Sequence, residues 1–510
     1  MIRLRPAPPL LCLLPALALI PVLVVVLPAI HSGGLQIWLD CLLGALQPSL
    51  DPVVLQAMVR ALQVTLATAL AAWGLSGLSG ALLALLSADV FWLSRGAPLW
   101  PAQILRSALA LPRSIHELIW GLLLLQIFGL HPWVAVLAIA IPYSALVARV
   151  WRDQLDSLDR SSLIAQLQTG AQADAAMITT LAPAMTPSLL SYGGYRLECA
   201  LRSATLLGVF GLGGLGTELQ LSLQSLRFHE FWSGLWLLIV CSVALEQGLR
   251  FWRTRPKETF GAAERRQLLL LGLLLISAVV GGLWMQQLFP DDGAALAWQW
   301  PPLPDRDQLL QASTELAWGS LIVDTLRLTL LAAGLAIGLP ALVELLWNRG
   351  AAPQVQSLIW SALRLLPPPL TLLMLLLANQ PSLALAALAL GLQNAGVLGR
   401  LLREGLDQQD QRRHQAMTVA GADSASSWLY GQLAPQSRAY LAYGAYRADV
   451  ILRETIVVGL VGGTGLGWAL IESLSSFHWA AVWLLIGAFS LLTLTGEALS
   501  DRQRQRWLQS

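Results

Sequence analysis

Residues Arg202–Gly216 read RSATLLGVFGLGGLG, and residues Arg453–Gly467 read RETIVVGLVGGTGLG. The two stretches lie about 251 residues apart, and the match continues upstream of them. Tyr192-Gly193-Gly194-Tyr195-Arg196 returns as Tyr443-Gly444-Ala445-Tyr446-Arg447. Arg149, Asp153, Asp156 and Asp159 align with Arg400, Glu404, Asp407 and Asp410. Gly170-Ala171 aligns with Gly421-Ala422, and Leu181-Ala182-Pro183 meets Leu433-Ala434-Pro435 after one inserted residue. Chance likeness between apolar segments would keep hydrophobicity but not fixed Tyr, Arg and Gly positions. The chain is therefore read as an internal duplication.

The solvent of this duplicated chain follows from its composition. Of 510 residues, 56% are hydrophobic and only 12% charged. That is about half the charge usual in soluble domains, too little to cover the surface of two or three of them. The net charge of +2 gives no basis for a nucleic-acid partner. Cys12, Cys41, Cys199 and Cys241 form no CxxC pair, and the six His form no HExxH; metal chemistry has no foothold.

Apolar runs of roughly 18 to 25 residues recur, each long enough to cross a bilayer as a helix. They fall near 10–30, 54–86, 101–128, 132–148, 186–208 and 231–250, then near 267–289, 318–346, 357–378, 382–399, 437–459 and 479–499. The expected fold is an all-α polytopic membrane protein of twelve spans. It is divided as 1–252, a basic linker 253–266, and 267–510. An even number of spans per half makes the repeats parallel, related by an axis along the membrane normal, with a path between them. The 54–86 run exceeds one crossing and implies tilt or an interfacial part.

Loop charge sets the orientation. Arg3, Arg5, Arg149, Arg152, Arg160, Arg250, Arg253, Arg255, Lys257, Arg265 and Arg266 fall on one side. Arg400, Arg403, Arg412, Arg413, Arg502, Arg504 and Arg506 follow on the same side. The alternate loops are nearly free of Lys and Arg, and the longest, 290–317, carries Asp291, Asp292, Asp305 and Asp307. Both termini are expected in the cytoplasm. The first segment has the look of a signal peptide, but the duplication argues that it is retained.

The fourth and fifth spans of each half are joined by the longest cytoplasmic loops, near 149–185 and 400–436. Each holds a short helix-compatible stretch, then Gly170 or Gly421, then a second stretch expected to end at Pro183 or Pro435. Gly permits a sharp bend and Pro stops a helix, so the unit reads as a docking element lying on the cytoplasmic face.

This loop resembles the coupling loop of ABC-importer permeases, whose pattern runs Glu-Ala-Ala, a short spacer, Gly, a longer spacer and Leu-Pro. Ala165, Gly170 and Pro183 take those places in the first half and Ala416, Gly421 and Pro435 in the second, and the resemblance implies a coupling role for these and for the adjoining Ala171 and Ala422. Ile164 and Gln415 stand where the family has Glu. Downstream, YRLECALRSATLLGVFGLGGLG resembles the phosphonate-type branch of these permeases, as do Leu105-Arg106, Leu111-Pro112 and Glu117-Leu118-Ile119-Trp120 upstream. The resemblance covers most of 54–250 and, more loosely, 318–499. It implies the binding-protein-dependent permease fold with both halves fused in one chain of a bacterial inner membrane. It further implies two ATP-binding-cassette ATPase subunits that bind the ATP, a periplasmic solute-binding protein, and a phosphonate- or phosphite-like oxyanion as cargo.

Charges inside the fifth span of each half are costly there and are expected to line the translocation path. They are Arg196, Glu198 and Arg202, with Arg447, Asp449 and Arg453 as the second set. Glu198 and Arg202 are four apart, as are Asp449 and Arg453, so each acid can pair with its Arg on one helical face. Arg196 and Arg447 are then left to favour an anion, for which Arg is a bidentate partner. Glu117 has no acidic counterpart in the second half and is expected to pack helices. Gly211, Gly213 and Gly216, with Gly462, Gly465 and Gly467, are expected to bend the chain at an outer gate, with Ala at Gly213 or Gly465 impairing transport but not insertion. Gly211, Gly213 and Gly216 spell GxGxxG, but no βαβ pattern surrounds them and dinucleotide binding is rejected.

No P-loop is possible, because the only Lys, Lys257, lies between Pro256 and Glu258. The chain is expected to be a transport subunit and not an enzyme. The alternatives are a permease for ferric iron or thiamine, or an ion-coupled secondary transporter with Glu198 and Asp449 as relay. A non-transporting membrane scaffold leaves the paired loops unexplained.

Overall fold

The computed structural model describes residues 14–30, 34–253, 261–289, 298–347 and 352–509. Arg3, Arg5, Cys12, Arg255, Lys257, Asp291 and Asp292 of the sequence reading lie outside the described residues. Among the described residues every regular element is helical. The described elements include, in order, α1 (Leu19–Val26) and α2 (Leu35–Leu43). There follow α3 (Pro52–Ser87), α4 (Asp89–Leu93), α5 (Trp100–Ser114), α6 (Glu117–Phe128) and α7 (Pro132–Ser157). Next come α8 (Ser161–Gln168), α9 (Ala173–Leu207), α10 (Leu215–Gln224), α11 (Phe228–Arg253) and α12 (Gly261–Leu288). The second half holds α13 (Arg306–Glu315), α14 (Trp318–Leu346), α15 (Ala352–Leu365), α16 (Pro368–Leu376) and α17 (Leu383–Gln408). It closes with α18 (Arg412–Val419), α19 (Ser424–Trp428), α20 (Ala434–Gly462), α21 (Gly465–Ser475) and α22 (Trp479–Gln509).

The chain forms two compact units, and they do not follow the division at 252 and 267. One unit is Leu43–Pro301; the other joins Met1–Leu42 to Pro302–Ser510. In the 43–301 unit, α12 lies on α3 with backbones in contact: a Cβ on Gly74 would stand 2.4 Å from Ala278 N, and one on Gly281 would stand 2.5 Å from Ala71 N. In the other unit, α1 takes the corresponding place on α14, where a Cβ on Gly338 would stand 2.6 Å from Leu19 Cγ. The first helix of each sequence half thus packs in the unit of the other. Small residues permit such close approach between membrane helices, and hydropathy alone does not say which partner they meet.

Asp51 caps α3, accepting from Val53 N–H at 2.9 Å, and Pro52 occupies the first turn. With 36 residues, α3 is about 54 Å long at 1.5 Å per residue, well beyond one perpendicular crossing. Trp73 Nε1 donates to Gly193 O at 2.8 Å and ties α3 to α9. Outward faces stay apolar: Leu269, Leu275, Ile276 and Val279 of α12 are each at least half exposed. Lipid, and not water, suits such a face.

Among the described residues, seven helices are long and apolar enough to cross a membrane, or up to ten if each bent pair is one span. Twelve spans were expected. Residues 101–128 and 357–378 are broken pairs, bent by 88° between α5 and α6 and by 92° between α15 and α16. His116 Nδ1 accepts from Leu118 N–H to cap α6, and Pro367–Pro369 interrupt the second pair. The first segment is a shorter apolar helix, Leu14–Ala29. Helix α20 carries Arg438, Arg447, Asp449, Arg453 and Glu454, more charge than a simple hydrophobic span holds.

Candidate functional site: two charged clusters, two glycine turns and two exposed helices

The exposed helix–glycine elements are alike in both units. Asp159 accepts from Ser161 Oγ at 2.7 Å and Ser161 N at 3.0 Å, fixing the start of α8. These bonds hold its carboxyl below the usual Asp range. Asp410, its counterpart, accepts from Arg412 N at 3.0 Å ahead of α18. Gly170 then takes φ +86° and Gly421 φ +87°. Gly170 N donates to Leu167 O and Ala171 N to Gln166 O, both at 3.1 Å; Gly421 N to Thr418 O and Ala422 N to Met417 O repeat the distances. Such a left-handed helix end favours Gly. Ile164, Ala165, Gly170, Ala171, Ala416 and Gly421 are exposed, and Ala422 is half-buried.

The prolines do not stop a helix there. Helix α9 runs from Ala173 through Pro183 to Leu207, and Pro435 stands in the first turn of α20. The residue inserted before Pro435 falls in a π-helical turn at Leu429–Leu433, whose wider ring takes up one extra residue.

The charged sets occupy α9 and α20. In the 302–510 unit, Arg453 Nη2 donates to Asp449 Oδ2 at 2.8 Å and to Glu497 Oε2 at 3.0 Å. In the 43–301 unit, Arg202 Nη2 lies 3.7 Å from Glu198 Oε1. Both i,i+4 pairs match the sequence reading. The other two guanidiniums differ. Arg447 was expected to stand free, but it is paired: Nη2 donates to Glu454 Oε1 at 3.3 Å, and Nε donates to Asn394 Oδ1. Asn394 Nδ2 donates in turn to Glu454 Oε2 at 2.9 Å. Arg196 makes no ion pair among the described residues. Its guanidinium carbon lies 3.5 Å from the centre of the Tyr143 ring, and its buried Nε and Nη2 have no hydrogen-bond partner among the described residues. Ser203 Oγ is 2.8 Å from Tyr143 Oη and donates to Glu117 Oε1 at 2.6 Å. Glu117 thus joins α6 to α9, as its expected packing role requires.

After α9, a π-turn at Gly208–Leu212 leads through Gly213 and Gly214 into α10, a bend of 56°. Gly211 takes φ +86° within this turn. In the second half α20 ends at Gly462, and Gly465 (φ +71°) opens α21. Gly465 and its repeat counterpart Gly214 occupy the same setting: their Cβ positions would stand 2.7 Å from Thr325 Oγ1 and 2.6 Å from Thr65 Oγ1. Each Thr hydroxyl accepts the next N–H, Leu215 N to Thr65 at 2.9 Å and Leu466 N to Thr325 at 3.0 Å. Gly216 and Gly467 sit against the backbones of α9 and α20. Sequence reasoning missed Thr65, Thr325, Tyr143, Asn394 and Glu454. Only Glu454 carried a signal, as the charge that replaces Ser203 in the quoted repeat. Thr65→Val should leave the Leu215 N–H buried and unpaired, costing about 1–3 kcal/mol. Thermal unfolding of the detergent-solubilised chain reads this directly; an unchanged midpoint refutes the clamp.

No group of three His, Cys, Asp or Glu side chains able to hold a metal ion occurs among the described residues. Duplicated helical units with apolar outer faces and buried charge clusters define a polytopic membrane protein. Comparison with known proteins gives the family. The "Phosphate-import permease protein PhnE" of Mycolicibacterium smegmatis is 22% identical over 426 residues, 79% of this chain and 77% of that protein. The "Putative cryptic phosphonate transport system permease protein PhnE2" of Escherichia coli is 31% identical over 125 residues, 24% of this chain and 99% of that protein. The "Putative phosphite transport system permease protein HtxE" of Stutzerimonas stutzeri is 32% identical over 146 residues, 29% of this chain and 56% of that protein. The alignment spans about half the length of the Stutzerimonas phosphite permeases. An amino acid ABC transporter structure aligns with 40% of this chain and 100% of its own at TM-score 0.35 and 23% identity. No family profile matches the chain. The chain belongs to the phosphonate-transport type of ABC-importer permeases. It is a multi-pass translocation subunit of a binding-protein-dependent importer.

Proposed function

We propose that this chain carries phosphonate-, phosphite- or phosphate-like oxyanions into the bacterial cytoplasm. Two ATPase subunits dock at the α8–Gly170 and α18–Gly421 elements and bind the ATP, and a separate periplasmic protein delivers the cargo. Both termini lie in the cytoplasm on this reading, which places the Arg-rich loops inside. The observation that carries the reading is the exposed helix–glycine element repeated with the same turn geometry in each unit. The cargo class rests on relatives named for phosphate, phosphite and phosphonate, and on buried Arg side chains suited to such anions.

The test is a tagged purification in mild detergent, followed by hydrolysis measurements on the intact complex. A P-loop ATPase should accompany the chain at two copies, and methylphosphonate with the binding protein should raise its ATP turnover several-fold. Gly170→Val, which disfavours the left-handed turn, should weaken ATPase retention at unchanged membrane level. Repeated isolation without any ATPase sinks this reading and turns attention to Glu198 and Asp449 as an ion relay.

A further inference from the structure

The duplication allows each buried group to be compared with its own copy. At the shared offset, Arg196 corresponds to Arg447, Tyr143 to Asn394, Ser203 to Glu454 and Glu117 to Pro368. In the 302–510 unit, Asn394 takes the Nε donor of Arg447 and Glu454 takes one from Nη2, so a carboxylate already neutralises this guanidinium. In the 43–301 unit the acid is withdrawn to another helix. Ser203 gives its only proton to Glu117, so the Tyr143 hydroxyl donates to Ser203. Glu117 therefore holds the Tyr143 ring in place beneath Arg196. Stacking engages the face of the guanidinium and leaves its in-plane N–H donors available. Arg196 is only 8% exposed, and a buried guanidinium with unused donors strongly favours a planar or tetrahedral oxyanion.

We infer that the chain holds one oxyanion site, built by Arg196 on Tyr143 in the 43–301 unit, and that the duplicate site at Arg447 is closed by Glu454. The ligand class is a phosphonate, phosphite or phosphate. The inference rests on the cargo reading above and adds that the two halves handle the anion unequally. Glu117 and Ser203 are positioning residues, acting through Tyr143. Glu454 serves as a built-in carboxylate that pairs with the second guanidinium in place of a bound anion.

The experiment is equilibrium binding of radiolabelled methylphosphonate to the full chain in lipid nanodiscs, with excess sulfate and chloride as competitors. Wild type should bind one anion per chain. Arg196→Gln should bind none. Glu454→Ser, which gives the second half the residue found in the first, should bind two. The double variant Arg196→Gln/Glu454→Ser should return to one, a result that a misfolded protein cannot give. Wild-type stoichiometry in Arg196→Gln, or no added site in Glu454→Ser, overturns the inference. Wild type without saturable binding also overturns it. Hydrolysis by the intact complex then separates the two readings, since a methylphosphonate response would leave the proposed function standing.

Discussion

Replacing Gly216 by Ala should produce the largest structural defect of any single methyl addition at a glycine among the described residues. A Cβ there would stand 1.9 Å from Thr205 O and 2.7 Å from Val209 N. Both neighbours are backbone, so no side chain can rotate away. The end of α9 and the start of α10 would have to separate, and the Thr65 clamp on Leu215 would open with them. Overpacking of this kind costs about 3 kcal/mol or more. The copy in the other unit is less tight, with Gly467 at 2.7 Å from Ile456 O, so Gly467→Ala should be milder. Gly213→Ala should be milder still, because open space surrounds its Cβ position and only the φ of +87° opposes the change. With ψ 169° this backbone lies in a region held essentially by Gly, and the strain on Ala is about 1–3 kcal/mol. Thermal unfolding of the three purified variants should rank them in this order, and transport should fall with it. Equal midpoints for Gly216→Ala and wild type would refute the backbone contact.

The second large effect concerns the closed cluster. Glu454→Ala removes the carboxylate that bonds both Arg447 and Asn394, leaving a guanidinium with 11% side-chain exposure without its acid. Breaking one partner of a buried pair costs about 3–5 kcal/mol. Removing both charges together, as Arg447→Met/Glu454→Leu, should cost much less, since no uncompensated charge remains. The expected signature is therefore a double variant more stable than Glu454→Ala alone, read as the unfolding midpoint in the same detergent. Methylphosphonate should restore part of the loss in Glu454→Ala, because the freed Arg447 can then bind it. A double variant that unfolds earlier than the single would show that packing, and not charge, sets the stability here.

What was legible in the sequence was local or repeated. Apolar runs fixed the helical membrane class because bilayer thickness sets a length that the chain must display in order. The duplication was visible because Tyr192, Arg196, Gly170 and their copies keep fixed spacing. The Arg453–Asp449 and Arg202–Glu198 pairs followed from helical periodicity alone. Likewise Gly170 and Gly421 announced their turns, since a left-handed residue after a short helix calls for Gly.

Only the tertiary structure decided the rest, because it depends on which surfaces meet. The exchange of α1 and α12 between units was hidden: a face of Gly, Ala and Leu offers no mark of its partner. Pro183 was read as a stop, yet α9 continues through it. Neighbouring helices and tertiary bonds can re-satisfy the carbonyl that a proline frees. Arg196 and Arg447 occupy equivalent positions in nearly identical words, and sequence gave them one role. Contacts across helices separated them: Tyr143 and Asn394 come from another helix, and Glu454 lies two turns along α20. Repetition in the chain determined where the buried cations stand. The side chains that reach them from other turns and helices determined which one keeps its donors free.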